Sequence, residues 1–168
     1  MKITFKNALL TDLTTIVEIY NSTIPSGMVT ADIKPVSIKS KVQWFKQHNN
    51  DKRPLLIIRN ERKQIIGWVS FQSFYGRPAY NSTAEISIFL HAKVRGKGLG
   101  KIILNHCIAI APDLGVKTLL GFIFKHNEPS LKLFHNAGFT DWGELPHVAE
   151  INNVERSLII TGLRVNHF

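Results

Sequence analysis

The stretch Val94-Arg95-Gly96-Lys97-Gly98-Leu99-Gly100-Lys101 limits what this chain can fold into more than any other. Ahead of it, Ser82 to Leu90 alternates polar and apolar residues, the pattern of a half-buried strand. Behind it, Ile102 to Ala111 is apolar and long enough for a helix. Strand, basic glycine loop and helix together make an anion site. Glycines permit the bend, while loop N–H groups and the helix N-terminus converge on one point. Arg95, Lys97 and Lys101 bring positive charge to that point. Gly96-Lys97 is followed by Gly98 rather than Ser or Thr, which excludes a P-loop. The spacing G-x-G-x-G, with no acidic residue about 20 positions on at a strand end, excludes the dinucleotide fingerprint.

The remaining elements follow in order. Lys2 to Lys6 alternates as a first strand, and Thr11-Asp12 offers a helix N-cap. Leu13, Ile16, Val17 and Tyr20 share one helical face, which Pro25-Ser26-Gly27 interrupts. Ser37 caps a second helix carrying Ile38, Val42 and Phe45. Leu55 to Ile58 and Ile65 to Phe71 predict an antiparallel pair around Asn60 to Lys63. An aromatic loop, Phe74 to Tyr80, leads into the 82–90 strand, and the helix after the glycine loop is expected to reach Leu114-Gly115. Thr118 to Phe124 reads as a strand. Asn127 then caps a helix with Pro129 in its first turn and Gly138 at its C-terminal end. Phe139 to Gly143 and Arg156 to Leu163 read as two closing strands.

Composition narrows the class. The 168 residues suit one domain, and 44% hydrophobic with 20% charged residues gives a substantial core. Twenty-one Lys and Arg against twelve Asp and Glu leave a net charge of +9. The basic residues are scattered and not interleaved with aromatics, so a nucleic-acid partner is not expected. A polyanionic cofactor accounts for the loop's share of the excess. Cys107 stands alone, which excludes an internal disulfide and a cysteine metal cluster. The seven His show no H-x-x-x-H spacing, so no metal is expected. No apolar run reaches the roughly 18 residues of a membrane span. With no apolar leader after Met1, a cytoplasmic enzyme is the expectation.

With Arg95, Gly98 and Gly100 in place, the loop resembles the Arg/Gln-x-x-Gly-x-Gly/Ala signature of the GNAT superfamily of N-acetyltransferases. Asn127-x-x-Ser130-x-x-Leu133 followed by Ala137-Gly138-Phe139 is similar to a second recurring pattern of that family. Ile19-Tyr20-Asn21, Trp44-Phe45, Gly67-Trp68, Arg77-Pro78-Ala79-Tyr80 and Thr83-x-Glu85 resemble its phosphinothricin and methionine sulfoximine N-acetyltransferase branch. The resemblance implies an α+β fold, with residues 1–168 forming a single N-acetyltransferase domain. Its sheet is expected to be central, mixed and mostly antiparallel, flanked by helices. Three departures stand out. Thr30-Ala31-Asp32-Ile33 lacks that branch's aromatic, Val148 to Arg156 replaces its C-terminal motif, and Phe134 stands where Tyr or His is usual.

The same resemblance implies acetyl-CoA as co-substrate. It assigns the cofactor to Arg95, Gly96, Lys97, Gly98, Leu99, Gly100 and Lys101, to the backbone at Ile88, Phe89 and Leu90, and to Asn127 and Ser130. Asn127 is expected on the pantetheine arm. Glu85 is the implied base that deprotonates the acceptor ammonium. Strand alternation puts Glu85 on one face with Thr83, Ser87 and Phe89, opposite Ala84, Ile86, Ile88 and Leu90. The alternative for Glu85 is an exposed cross-strand ion pair. The acceptor is expected against Tyr75, Gly76, Arg77, Tyr80, Glu85, Ile86 and Ser87. Arg77 and Tyr75 are candidates for holding an acceptor carboxylate; the alternative is Arg77 packed on Tyr80. Phe134 cannot protonate a thiolate, and His135, about 100° further round the helix, is expected to face solvent. A slower enzyme follows. Trp44, Trp68 and Trp142 are expected in the core or an interface.

These readings converge on acetyl transfer to a small primary amine bearing a carboxylate. Two alternatives stay open, a protein or RNA-associated amine as acceptor and a non-catalytic acyl-CoA-binding module. The resemblance also implies a homodimer, to which Leu158-Ile159-Ile160 could contribute.

Overall fold

A computed structural model describes residues 2–165. Its frame is one sheet of seven strands: β1 (Thr4–Asn7), β2 (Leu55–Arg59), β3 (Ile65–Ser73), β4 (Thr83–Leu90), β5 (Thr118–Phe124), β6 (Thr140–Ile151) and β7 (Val154–Arg164). Their order is β1-β2-β3-β4-β5-β7-β6. Only β4 and β5 run parallel; all other neighbours are antiparallel. This is the mixed, mostly antiparallel sheet that the sequence led us to expect.

Four helices cover the two faces: α1 (Leu13–Asn21), α2 (Ile38–Lys46), α3 (Leu99–Ile110) and α4 (Glu128–Asn136). On one face Leu13, Ile16 and Val17 of α1 pack with Ile57, Trp68 and Phe89 of the central strands. On the other, Ile103, Leu104 and Cys107 of α3 and Phe134 of α4 pack with Val69, Phe71, Ala84 and Ile86. Alternation along β4 therefore delivers Phe89 to one core and Ala84 and Ile86 to the other. Two helix starts form as the caps predict. Ser37 Oγ accepts the Ser40 N–H at 3.1 Å, and Asn127 Oδ1 accepts that of Ser130 at 3.2 Å.

Three expectations are corrected. Asp12 stands at the α1 N-cap position but makes no capping bond there. Its carboxylate instead accepts the Leu9 N–H at 2.9 Å and faces Arg59 at 3.5 Å. Helix α3 ends at Ile110, short of Leu114: Ala111 keeps helical angles as its C-cap, but Pro112 after it has no N–H with which to carry the ladder on. The closing strands are longer than Phe139–Gly143 and Arg156–Leu163, and they meet in a hairpin at Asn152 and Asn153. Both turn residues have positive φ, 51° and 60°, the requirement of a tight hairpin turn that Asn tolerates.

The feature that positions the site is where β4 and β5 part. Their parallel pairing joins Thr83, Ala84 and Glu85 to Thr118, Leu119 and Leu120, and then stops. Beyond it β5 pairs on with β7 as far as Phe124 and Leu158. The second half of β4 is left with an open edge.

Candidate active site

The backbone of that open edge is oriented by β3. His91 N–H donates to Ile66 O at 2.9 Å, so the N–H groups of Phe89 and Ser87, in step with it, also face β3. Those of Ile88 and Leu90 face the gap. Leu90 O on the same side accepts Arg95 Nε at 2.8 Å, which ties the glycine loop to the end of β4. Of the three expected backbone positions, Ile88 and Leu90 therefore offer donors. Phe89 offers its ring, stacked on Trp68 with centroids 4.4 Å apart.

The loop beyond has the shape of an anion cradle. Gly96 and Gly98 sit at φ 71° and 76°, where an L side chain is strained. The N–H groups of Gly96, Lys97 and Gly98 bond to no backbone carbonyl among the described residues. Helix α3 adds the unpaired donors of its first turn. Leu99 is buried in the core and contributes backbone alone, while Arg95, Lys97 and Lys101 are exposed. At Gly100 a Cβ would stand 2.9 Å from Leu133 Cδ2, so the missing side chain lets α3 and α4 approach.

Gap and loop open onto a cleft of about 790 Å³. Ile86, Ser87, Ile88, Phe89 and Leu90 of β4, Arg95, Gly96 and Gly100 of the loop, and Asn127, Ser130 and Phe134 line it. Among the described residues Glu85 is its only carboxylate. Burial pushes the Glu85 carboxyl above the ordinary range, and the Ser87 hydrogen bond, at 3.4 Å, opposes that shift. Glu85 enters no ion pair among the described residues. A carboxyl poised this way, in a cleft beside unpaired donors, is suited to taking a proton.

The aromatic-loop residues lie elsewhere. Tyr75 and Gly76 line a second, smaller cavity of about 430 Å³, which Glu85 and Gln72 share with the main cleft. Arg77 and Tyr80 line neither cavity. Tyr75 is 77% exposed, with its ring 6.0 Å from that of Tyr80.

Two α4 residues have definite roles in the packing. Phe134 is 6% exposed and meets the ring of Phe139 edge-on at 4.8 Å. His135 points outward and pairs with Asp141 at 2.7 Å. Asn127 spends both ends of its amide within the protein. Oδ1 caps α4, and Nδ2 donates to Met28 O at 3.0 Å.

Sequence reasoning missed one wall of the cleft. Tyr20, Thr30, Lys41, Trp44 and Trp68 all line the cleft. The sequence alone places Trp44 and Trp68 in the core or an interface. Trp68 is both core and cleft floor, with Nε1 donating to Ile16 O at 3.1 Å. Tyr20 Oη meets Thr30 Oγ1 at 2.5 Å and donates to Asp32. Their spacing gave no signal, because only the packing of α1 and α2 on the sheet brings them together. Among the described residues no group of three or more His, Cys, Asp or Glu could hold a metal ion. No helix there is long and apolar enough to cross a membrane.

Known proteins are similar to this chain. YwnH of Bacillus subtilis (strain 168), whose name assigns it provisionally to phosphinothricin acetylation, is 48% identical over 151 residues, 90% of this chain and 92% of its own. The L-methionine sulfoximine/L-methionine sulfone acetyltransferase of Pseudomonas paraeruginosa is 25% identical over 99% of this chain and 95% of its own. The crystal structure of a GNAT superfamily phosphinothricin acetyltransferase from Sinorhizobium meliloti, in complex with AcCoA, matches with a TM-score of 0.92. That match is at 25% identity and covers 99% of this chain and 90% of the other. Residues 15–139 match the family directly, and the chain belongs to the acetyltransferase (GNAT) family.

Proposed function

We propose that this enzyme transfers the acetyl group of acetyl-CoA to the primary amine of an amino acid or a close analogue, of the phosphinothricin or methionine sulfoximine kind. The observation that carries the reading is the parting of β4 from β5. It turns the Ile88 and Leu90 N–H groups into a cleft that Glu85 supplies with a carboxylate. Relatives named for small amino-acid analogues support the acceptor class.

The chain's own groups fit the co-substrate. The strained glycines and unpaired N–H groups of 96–98, with Arg95, Lys97 and Lys101 around them, suit its phosphates. The Ile88 and Leu90 N–H groups suit the amide and carbonyl oxygens of a chain laid in the gap. Acetyl-CoA supplies an activated acyl group as a thioester. Glu85 accepts the proton that the acceptor ammonium must lose before nitrogen can attack. Ser130 lines the same cleft from α4, and Phe134 has no proton to give. Asn127 holds the acceptor-side loop to α4 through Met28 O, and we assign it that work rather than a pantetheine contact.

We further assign the enzyme to homodimers. Trp142, Leu145, Val148 and Val154 leave apolar side chains exposed on the β6–β7 hairpin. Ile159 is buried within the chain itself, so the expected contribution of its strand is not available from that residue. Sedimentation of the wild type and a Trp142→Glu variant tests this assignment.

Thiol release from acetyl-CoA against a panel of amino acids, methionine sulfoximine, phosphinothricin and polyamines tests the activity. Turnover of carboxylate-bearing amines, lost in Glu85→Gln, is the expected result. Cofactor binding without thiol release on any small amine would overturn it.

A further inference from the structure

We propose that Lys41 anchors the carboxylate of the acceptor. The inference rests on the acceptor class just proposed and names the residue that selects for it. Among the described residues two cationic side chains line the cleft, Lys41 and Arg95. Arg95 belongs to the loop end, where its Nε is donated to Leu90 O. Lys41 projects from α2, over the face of the sheet that carries Glu85 and Phe89.

The Lys41 ammonium is held but not neutralised. Its Nζ lies 4.8 Å from the centre of the Tyr20 ring and 5.7 Å from that of Trp44, within reach of cation–π attraction to both. It enters no ion pair among the described residues, so its three donors are free for an oxyanion. Tyr20 is a fixed platform, since its hydroxyl is locked between Thr30 Oγ1 and Asp32. Burial and the Asp32 carboxylate push the Tyr20 phenol up to about 12, so the ring stays neutral and leaves the ammonium to the ligand.

The cleft thus has a base for an ammonium in Glu85, a free cation in Lys41, and an aromatic floor of Trp44, Trp68 and Phe89. That set is complementary to a compact amine that also carries a carboxylate. A polyamine would bring a second positive charge toward Lys41 and be disfavoured. Arg77, the sequence's candidate for this task, lines neither cavity.

The experiment compares L-methionine sulfone with its carboxamide in wild type, Lys41→Met, Lys41→Arg and Arg77→Met. Loss of a charge-assisted contact should raise the KM of the carboxylate acceptor about 10- to 100-fold in Lys41→Met. The effect should fall on KM rather than kcat, should spare the carboxamide, and should be largely restored by Lys41→Arg. Equal losses for acid and amide, or a carboxylate-selective loss in Arg77→Met instead, overturn the proposal. A second readout does not depend on turnover. With CoA present, L-methionine sulfone should alter the fluorescence of Trp44 and Trp68, about ten-fold more weakly in Lys41→Met. If no amine is acetylated, the acceptor reading fails, yet this titration still decides the role of Lys41. A carboxylate-dependent change lost in the variant supports it, and none in wild type overturns it.

Discussion

The ring of Phe134 lies directly across Gly121, where a Cβ would stand 2.6 Å from Phe134 Cε1. Helix α4 can rest on β5 there only because residue 121 has no side chain. The contact sits just past the last β4–β5 pair, Glu85 with Leu120. The width of the gap is therefore set by a ring against a backbone. Thr161, fully buried, crowds the same spot: an added Cβ would also stand 2.8 Å from its Oγ1, and its hydroxyl donates to Gly121 O at 3.1 Å.

Gly121→Ala should therefore be costly without touching any reactive group. Overpacking of this kind destabilises by about 1–3 kcal/mol, measurable as a lower denaturant midpoint. A ring displaced into the cleft should also lower kcat/KM. A variant with wild-type stability would show that α4 can slide, and that the ring does not set the gap.

Phe134→Tyr tests the missing proton donor. It adds a hydroxyl to a ring that already lines the cleft, so little repacking is needed. General-acid help contributes roughly 10²–10⁴-fold where a donor is well placed, and a gain of about ten-fold in kcat is expected from an unoptimised one. Thiol-release kinetics at saturating substrates measure it. An unchanged kcat would mean that the thiolate takes its proton from solvent, or that another step limits turnover.

Glu85 makes two linked predictions. Because burial raises its pKa, the acid limb of kcat/KM should lie above the ordinary carboxylate range. Glu85→Gln should lower kcat roughly 100-fold and remove that limb. The stability effect has the opposite sign. A raised folded pKa means the folded chain holds the proton more tightly than the unfolded chain does. Stability thus falls as pH rises from the unfolded to the folded pKa. At neutral pH, Glu85→Gln should be as stable as wild type or more so, by thermal melting. A clear loss of stability would show that the ionised carboxylate is satisfied in the fold.

How legible this was depended on whether local chemistry or packing decided the matter. The glycine loop, the Ser37 and Asn127 caps and the strand pair around Asn60 are set by residues within a few positions of each other, so sequence carried them. The outer half of β6 was not visible because its side chains are mostly exposed and show no apolar alternation. The Asn152-Asn153 pair, which tolerates positive φ, was the local signal for the hairpin, and the sequence reading passed over it. Glu85 was visible as a carboxylate within a strand close to the loop. Lys41 was not, because one lysine on a polar helix looks like any other until α2 is packed over Trp68. Arg77 is the opposite case, since its guanidinium suggests a carboxylate clamp and the chain carries it outside both cavities.

Asn127 separates two jobs that one side chain performs, and two substitutions pull them apart. Asn127→Asp keeps the oxygen that caps α4 but loses the amide donor to Met28 O, and sets a negative charge against that carbonyl. Helix stability should therefore hold, because Asp caps about as well as Asn. The 27–32 segment should loosen instead, since Tyr20 then remains its tie on the α1 side through Thr30 and Asp32. The expected outcome is a KM for the amine raised several-fold, with the thermal midpoint little changed. Asn127→Ala removes both bonds and should add the loss of the cap, about 1 kcal/mol, seen as a lower midpoint. If Asn127→Asp instead weakened CoA binding and left the amine KM alone, the residue would act on the cofactor. The Met28 bond would then be incidental.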